Sequence, residues 1–269
     1  MKYKIGFIGI GNMGGALLRA VCEKLGGEGI AVADMDESKT AAASAEFGCA
    51  VSNAAEIAAE AEYIFLGVKP QVMGVMLAGI KDVLRDRETT PVLVSMAAGL
   101  TIETIREMAG GDYPVIRIMP NIPASVGEGM ILYACTDNVT AEQTAFFCEF
   151  MEKSGELDRI SENLIDAGSA VSGCGPAFAA MFIEALADGA VTCGLPRQKA
   201  LLYAEQMVIG TAKYLLETGM HPGQLKDNVT SPGGTTIRGV KALEDGGLRS
   251  AAMEAVIAAY ERTLELAKK

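Results

Sequence analysis

Six residues near the start of the chain, Gly9-Ile10-Gly11-Asn12-Met13-Gly14, limit what it can fold into more than any other stretch. They follow a short apolar run, Ile5-Gly-Phe-Ile8, and open a segment with helical spacing from Met13 to Leu25. In this G-x-G-x-x-G pattern the first glycine permits a tight turn. The second lets a pyrophosphate reach the backbone, and the third lets the helix pack on the strand. The helix start adds free N–H groups and a partial positive charge. Alone the pattern is weak. Here it sits between a strand and a helix, and an acidic residue, Asp34, follows 20 positions after Gly14 at the end of the next apolar run, Ile30–Ala33. That context implies a bound dinucleotide.

The pattern continues as strands alternating with helices. After Ile30–Ala33 comes a helix from Ser38 to Phe47, closed by Gly48. Further strands are read at Tyr63–Val68, Val92–Met96 and Val115–Met119, and one more at Ile131–Cys135. Alternation of this kind requires crossover connections and a mostly parallel, doubly wound sheet. From about residue 140 the strand signal ends. Thr140–Ser154 reads as helix, Gly155–Arg159 as a short extended connector, and the rest as helices only: Glu162–Val171, Pro176–Cys193, Pro196–Thr218, Thr235–Asp245 and Leu248–Ala267. The expected architecture is a Rossmann-type α/β domain over 1–155 and an all-α domain over 156–269. Pro176–Cys193 is apolar around most of its circumference, which predicts burial against a second copy of the chain.

Composition narrows the function. With 269 residues, a net charge of −11 and a pI near 4.7, the chain offers no basic surface to neutralise phosphates along a nucleic acid. An anionic ligand must be held by local backbone N–H groups. One histidine, His221, excludes a multi-His metal site, and none of the six cysteines forms a C-x-x-C pair. Scattered cysteines of this kind read as small buried residues in a reducing compartment. The start runs straight into a strand without the flanks of a signal peptide. The longest uncharged stretch, Ala167–Ile183, is interrupted by three glycines, two serines and a proline, too short and broken for a membrane span. A cytoplasmic globular enzyme is expected, with no membrane and no nucleic-acid partner.

Three strand ends should flank the dinucleotide: Val68-Lys69-Pro70, Met96-Ala97-Ala98-Gly99 and Met119-Pro120-Asn121. Each combines small or proline residues against which a flat ring can lie. A second anion site is readable at Asn228–Thr236, where Ser231-Pro-Gly233-Gly234-Thr235-Thr236 precedes a helix and has the size for a carboxylate. An ordinary helix start capped by Ser231 or Thr235 is the alternative. Ser172-Gly-Cys-Gly-Pro-Ala177 marks a break between helices. Cys174 has no basic neighbour in sequence to activate it, so it reads as a small packing residue. His221, before Pro222, reads as a surface turn residue.

Together these segments resemble pyrroline-5-carboxylate reductase. The likeness spans nearly the whole chain and is carried by Ile5–Gly14, Val68–Pro70, Ser95–Gly99, Arg117–Asn121, Ser172–Ala177, His221–Asn228 and, most specifically, Thr230–Thr236. It implies reduction of 1-pyrroline-5-carboxylate to L-proline by NADH or NADPH. It also implies a helical domain that interlocks two subunits, with homodimers often built into larger rings such as a decamer. Residue by residue, it puts the substrate carboxylate on Ser231, Gly233, Gly234 and Thr235, and the ring nitrogen against Thr236; Ser231 and Thr236 are the expected catalytic pair. The cofactor falls to Ile8, Gly9, Gly11, Asn12, Met13 and Gly14, with Asp34 and Asn53 beyond, and to Val68, Lys69, Pro70, Ala97 and Asn121. No metal is implied. Cys174 stands where the family usually has serine.

Two other readings compete. A β-hydroxyacid dehydrogenase has the same layout but needs a lysine on the long central helix, where this chain has Ala179. A non-catalytic dinucleotide sensor has no use for the Ser231–Thr236 loop. Cofactor choice follows from Asp34-Met-Asp36-Glu37: a carboxylate there accepts from a ribose 2′-OH and repels a 2′-phosphate, so NADH is expected to be preferred. Lys39 partly offsets the repulsion.

Overall fold

The structure is a computed structural model that describes residues 1–267. The chain divides into two compact units. One comprises 1–173 and the last helical turns from Tyr260; the other is 174–259.

In the first unit eight strands form one sheet: β1 (Tyr3–Ile8), β2 (Ile30–Ala33), β3 (Ala50–Val51), β4 (Ala61–Leu66), β5 (Val92–Ser95), β6 (Val115–Met119), β7 (Gly129–Cys135) and β8 (Gly155–Arg159). Their order is β3-β2-β1-β4-β5-β6-β7-β8. The first six are parallel, β7 is antiparallel to β6, and β8 is parallel to β7. The helices of this unit are α1 (Asn12–Leu25), α2 (Glu37–Phe47), α3 (Ala54–Glu60), α4 (Pro70–Arg85), α5 (Ile102–Ala109), α6 (Ala141–Met151) and α7 (Glu162–Ser172). Because side chains alternate across a strand, each strand feeds two cores. Ile5, Phe7, Tyr63 and Phe65 face one side with Phe147 and Phe150 of α6; Ile8, Ile64, Leu66 and Leu93 face the other with Ile57, Leu77 and Ile105. Phe7 stacks on Phe65 across β1 and β4 at 4.3 Å.

The doubly wound, mostly parallel sheet agrees with the sequence pattern, and two details correct it. Gly155–Arg159, expected as a connector, is a strand: its Leu157 pairs with Ile131 of β7, and its exposed Glu156, Asp158 and Arg159 protect a sheet edge. The domain boundary expected at 155/156 therefore falls inside the first unit. That unit continues to Gly173 because α7 is fastened to the sheet. Buried Arg117 of β6 pairs with Glu162 (3.1 Å) and Asp166 (2.9 Å), two residues one helical turn apart on α7.

The second unit is all helical: α8 (Gly175–Thr192), α9 (Arg197–Thr218), α10 (Pro222–Asn228), α11 (Thr235–Asp245) and α12 (Leu248–Ala267), whose last turns belong to the first unit. α8 and α9 pack through the small residues Ala187, Ala200 and Ala204. Otherwise apolar side chains face outward: Met181, Leu202, Ile209 and Met253 are more than half exposed, and Leu216 is 84% exposed. No residue of α10 or α11 is buried. Only Ala187 of the apolar helix α8 is buried, so its burial is not completed within one chain. The run Glu162–Thr192 is long and apolar enough to cross a membrane by length and composition alone. α10 was not anticipated; His221 is its N-cap, its Nδ1 accepting from the Gly223 N–H at 3.1 Å.

Candidate active site

The chain winds from β1 outward to β2 and β3, then returns to the other side of β1 as β4. The reversal opens a crevice beyond the carboxyl ends of β1 and β4, where ligands of such sheets bind. Two glycines meet there. Gly9 has φ +94°, and a Cβ on it would lie 2.7 Å from the Gly67 carbonyl carbon; one on Gly67 would lie 2.1 Å from the Gly9 oxygen. Only glycine lets the two loops touch. Gly67 escaped the sequence reading, although a glycine directly after an apolar strand was its signal.

The three glycines of the fingerprint then separate by role. A Cβ on Gly14 would sit 2.5 Å from the Gly9 oxygen, so Gly14 serves packing. A Cβ on Gly11 would meet nothing within 4 Å, so Gly11 keeps open the space above α1. Gly11 is also the N-cap of α1, with no side chain to satisfy the first-turn N–H groups and no acidic residue among Asn12, Met13 and Gly14. Open space over uncapped donors at a helix start fits a pyrophosphate.

Asp34 does more than expected. Its Oδ2 accepts from the Ile10 N–H at 2.8 Å and its Oδ1 from the Asp36 N–H at 3.0 Å. The carboxylate thus ties the glycine turn to the end of β2. Each oxygen keeps a further acceptor site, so a ribose hydroxyl can share it. Asp36 is the N-cap of α2 and accepts from the Ser38 hydroxyl (2.5 Å) and N–H (3.1 Å). The Ser38 hydroxyl, then its N–H, holds this carboxyl below its usual range, so it is charged at neutral pH. Lys39 Nζ lies 3.9 Å away.

The other expected cofactor residues divide into open and committed ones. Ile8 ends β1 in the core, Val68 is half-buried, exposed Lys69 is the N-cap of α4, and Pro70 begins that helix. Ala97 is buried after β5. Asn53 caps α3 through its Oδ1, which accepts from Glu56 N–H at 2.9 Å. Asn121 has both ends of its amide engaged: Nδ2 donates to the Ser172 carbonyl (2.9 Å) and Oδ1 accepts from Met130 N–H (3.0 Å). It braces β6 to α7 and β7, and each end of the amide keeps one further hydrogen-bonding site.

In the second unit Ser231, Gly233, Gly234, Thr235 and Thr236 form one compact turn at the start of α11. Gly234 N–H donates to the Ser231 carbonyl at 3.0 Å, and Gly233 has φ +71°. A Cβ on Gly234 would fall 2.3 Å from Ser231 Oγ, so the serine hydroxyl rests over a bare backbone. The N-cap is Gly234, not Ser231 or Thr235, and it provides no side-chain acceptor. Uncapped N–H groups, flanked by the exposed hydroxyls of Ser231, Thr235 and Thr236, suit a carboxylate. Among the described residues no cluster of three metal-ligating side chains occurs.

Known proteins match both units. Residues 162–266 match a family model described as pyrroline-5-carboxylate reductase dimerisation, and residues 4–99 match one described as NADP oxidoreductase, coenzyme F420-dependent. The pyrroline-5-carboxylate reductase of Methanosarcina acetivorans is 42% identical over 269 residues, covering 99% of this chain and 98% of that one. The Escherichia coli enzyme is 42% identical over 272 residues, with both chains covered completely. The solved pyrroline-5-carboxylate reductase of Coxiella burnetii superposes with a TM-score of 0.91 at 32% identity, over 99% of each chain. That of Plasmodium falciparum, solved with NADP bound, gives 0.85 at 31% over 98% of each. These full-length matches agree with the site chemistry: the chain belongs to the pyrroline-5-carboxylate reductase family, and its reaction is the NAD(P)H-dependent reduction of 1-pyrroline-5-carboxylate to L-proline.

Proposed function

We propose that this reductase favours NADH and works through two helix N-termini, α1 for the dinucleotide and α11 for the substrate. The pyrophosphate lies on the first-turn N–H groups of α1, in the space Gly11 leaves open. The substrate carboxylate lies on the backbone N–H groups around Gly233–Thr235 with the Ser231 hydroxyl, and Thr236 hydrogen-bonds the ring nitrogen. The reduced nicotinamide supplies the hydride. A cyclic imine enters already protonated, so no strong general acid is needed, and the hydroxyl of Thr236 orients the nitrogen instead. The absence of a lysine at Ala179 argues against the hydroxyacid dehydrogenase reading.

The preference for NADH rests on Asp36. Charged, exposed and fixed by Ser38, it stands beside Asp34 where a 2′-phosphate would approach. Repulsion between charges about 4 Å apart is on the order of 1–4 kcal/mol at effective dielectrics of 80 to 20, partly relieved by Lys39. The expected result is a roughly fivefold or higher kcat/KM with NADH than with NADPH, measured with pyrroline-5-carboxylate, and a narrowed gap in Asp36→Ser. A tenfold preference for NADPH in the unaltered enzyme refutes this assignment.

The exposed apolar surface of α8, α9 and α12 supports a homodimer, and the resemblance extends it to a decamer. Cysteines without disulfides among the described residues support a cytoplasmic location.

A further inference from the structure

Two cysteines far apart in sequence meet in the dinucleotide-binding unit. Cys22 lies in the last turn of α1 and Cys49 just before β3, and their Sγ atoms are 3.5 Å apart. Both are buried. The approach is built by the backbone around them. α1 stops at Gly26 and α2 at Gly48, both with positive φ, and a Cβ on Gly27 would lie 1.8 Å from the Phe47 carbonyl oxygen. The ends of the two helices are thus drawn together, while Arg19 covers the corner by pairing with Glu46 (2.7 Å) over the Phe47 ring. The dinucleotide site uses the opposite ends of the same two helices, so this pair has no part in binding.

We propose that Cys22 and Cys49 are an oxidisable dithiol that closes to a disulfide on exposure to a hydroperoxide. The contact lets one sulfur hold charge: hydrogen bonding from Cys22 holds the Cys49 thiol below its usual range, and the same bond and burial push Cys22 up. The Cys49 thiolate attacks the peroxide, the O–O bond breaks, and Cys49 becomes a sulfenic acid with release of hydroxide. The Cys22 sulfur then displaces hydroxide from the sulfenic sulfur, and its proton leaves with it as water. Two thiols lose two electrons, and one hydrogen peroxide becomes two waters. The sulfurs need to close by about 1.5 Å to reach a bond of about 2.05 Å, within the reach of side-chain rotation. The other four cysteines provide the contrast: exposed Cys193 should oxidise without an internal partner.

The test is hydrogen peroxide on the intact enzyme, followed by thiol titration, non-reducing peptide mass mapping and a melting scan. The expected species has lost the two thiols of the pair, with one peptide joining Cys22 to Cys49. It melts several degrees higher, because the bond closes a loop of 27 residues. Reductant reverses the mass and the shift, and NADH affinity changes by less than about threefold because the far helix ends are untouched. Cys22→Ser and Cys49→Ser each remove the linked peptide and the shift. The proposal is overturned if Cys193 oxidises while Cys22 and Cys49 still titrate as thiols. It is equally overturned if either forms only sulfinic acid, or if closure lowers the melting temperature. A failure to bind NADH even before oxidation counts against the dinucleotide site instead, which the thiol mapping does not require.

Discussion

Replacing Asp34 by asparagine separates two roles that one carboxylate combines. In the folded chain Asp34 accepts from Ile10 N–H at 2.8 Å and from Asp36 N–H at 3.0 Å, one bond to each oxygen. Asparagine keeps the shape but has a single acceptor oxygen, so one donor is left facing an NH2 group. A hydrogen bond to a charged group contributes about 1.5–3 kcal/mol. The Ile10 N–H belongs to the glycine turn, so part of that loss becomes disorder of the turn, which binding must reverse. The affinity for dinucleotide should fall roughly tenfold to a hundredfold. The fall should be shared by NADH and NADPH, because the turn adjoins the helix start proposed for the pyrophosphate they have in common. Direct titration of each cofactor by nicotinamide fluorescence measures it, with a melting scan to confirm that the variant is folded. If Asp34→Asn weakens NADH but leaves NADPH binding unchanged or improved, Asp34 acts on the ribose alone and its role in the turn is refuted.

Gly11→Ala should leave the melting temperature nearly unchanged, since its Cβ meets nothing, yet weaken NADH binding at least tenfold; Gly14→Ala, with a Cβ 2.5 Å from a backbone oxygen, should instead destabilise the fold. Equal effects of the two on stability would remove the division of roles. Thr236→Ala should lower kcat/KM for the imine by roughly tenfold to a hundredfold while cofactor affinity holds, and unchanged steady-state kinetics would take Thr236 out of the reaction. Sedimentation should find no active 28.1 kDa species, because a helical unit that leaves Leu216 84% exposed needs a second copy to cover it.

The parallel sheet was legible because its strands are buried on both faces and so read as unbroken apolar runs, such as Tyr63-Ile-Phe-Leu66. What escaped lacked that signature. β8 carries three charged residues in five, since an edge strand needs them to discourage further pairing, and charge reads as loop. β3 has two residues and α10 seven, too few to show a period. That α7, beyond the boundary expected at 155/156, packs with the sheet unit follows from an ion-pair network through Arg117, a tertiary contact that no local pattern announces.

The site divides along the same line. Its backbone features were visible because glycine placement is itself the signal: Gly9, Gly11 and Gly14 on one helix start, Gly233 and Gly234 on another. Its side-chain commitments were not. Asp34, Asn53 and Asn121 were all read as polar groups free to meet a cofactor, and all three turn out to hold backbone N–H groups, those of Ile10, Glu56 and Met130. The reason is general. Where strands end and helices begin, orphaned backbone donors collect, and the short acceptors Asp and Asn are the residues that satisfy them. A polar residue at a strand end therefore has two claimants, the ligand and the turn that positions the ligand. Sequence places the residue there for both. Hydrogen-bond geometry shows which oxygen is already engaged and which is left, and in this crevice the exposed carboxylate of Asp36, two residues beyond the one named by the fingerprint, is the group on which the proposed choice between cofactors is to be tested.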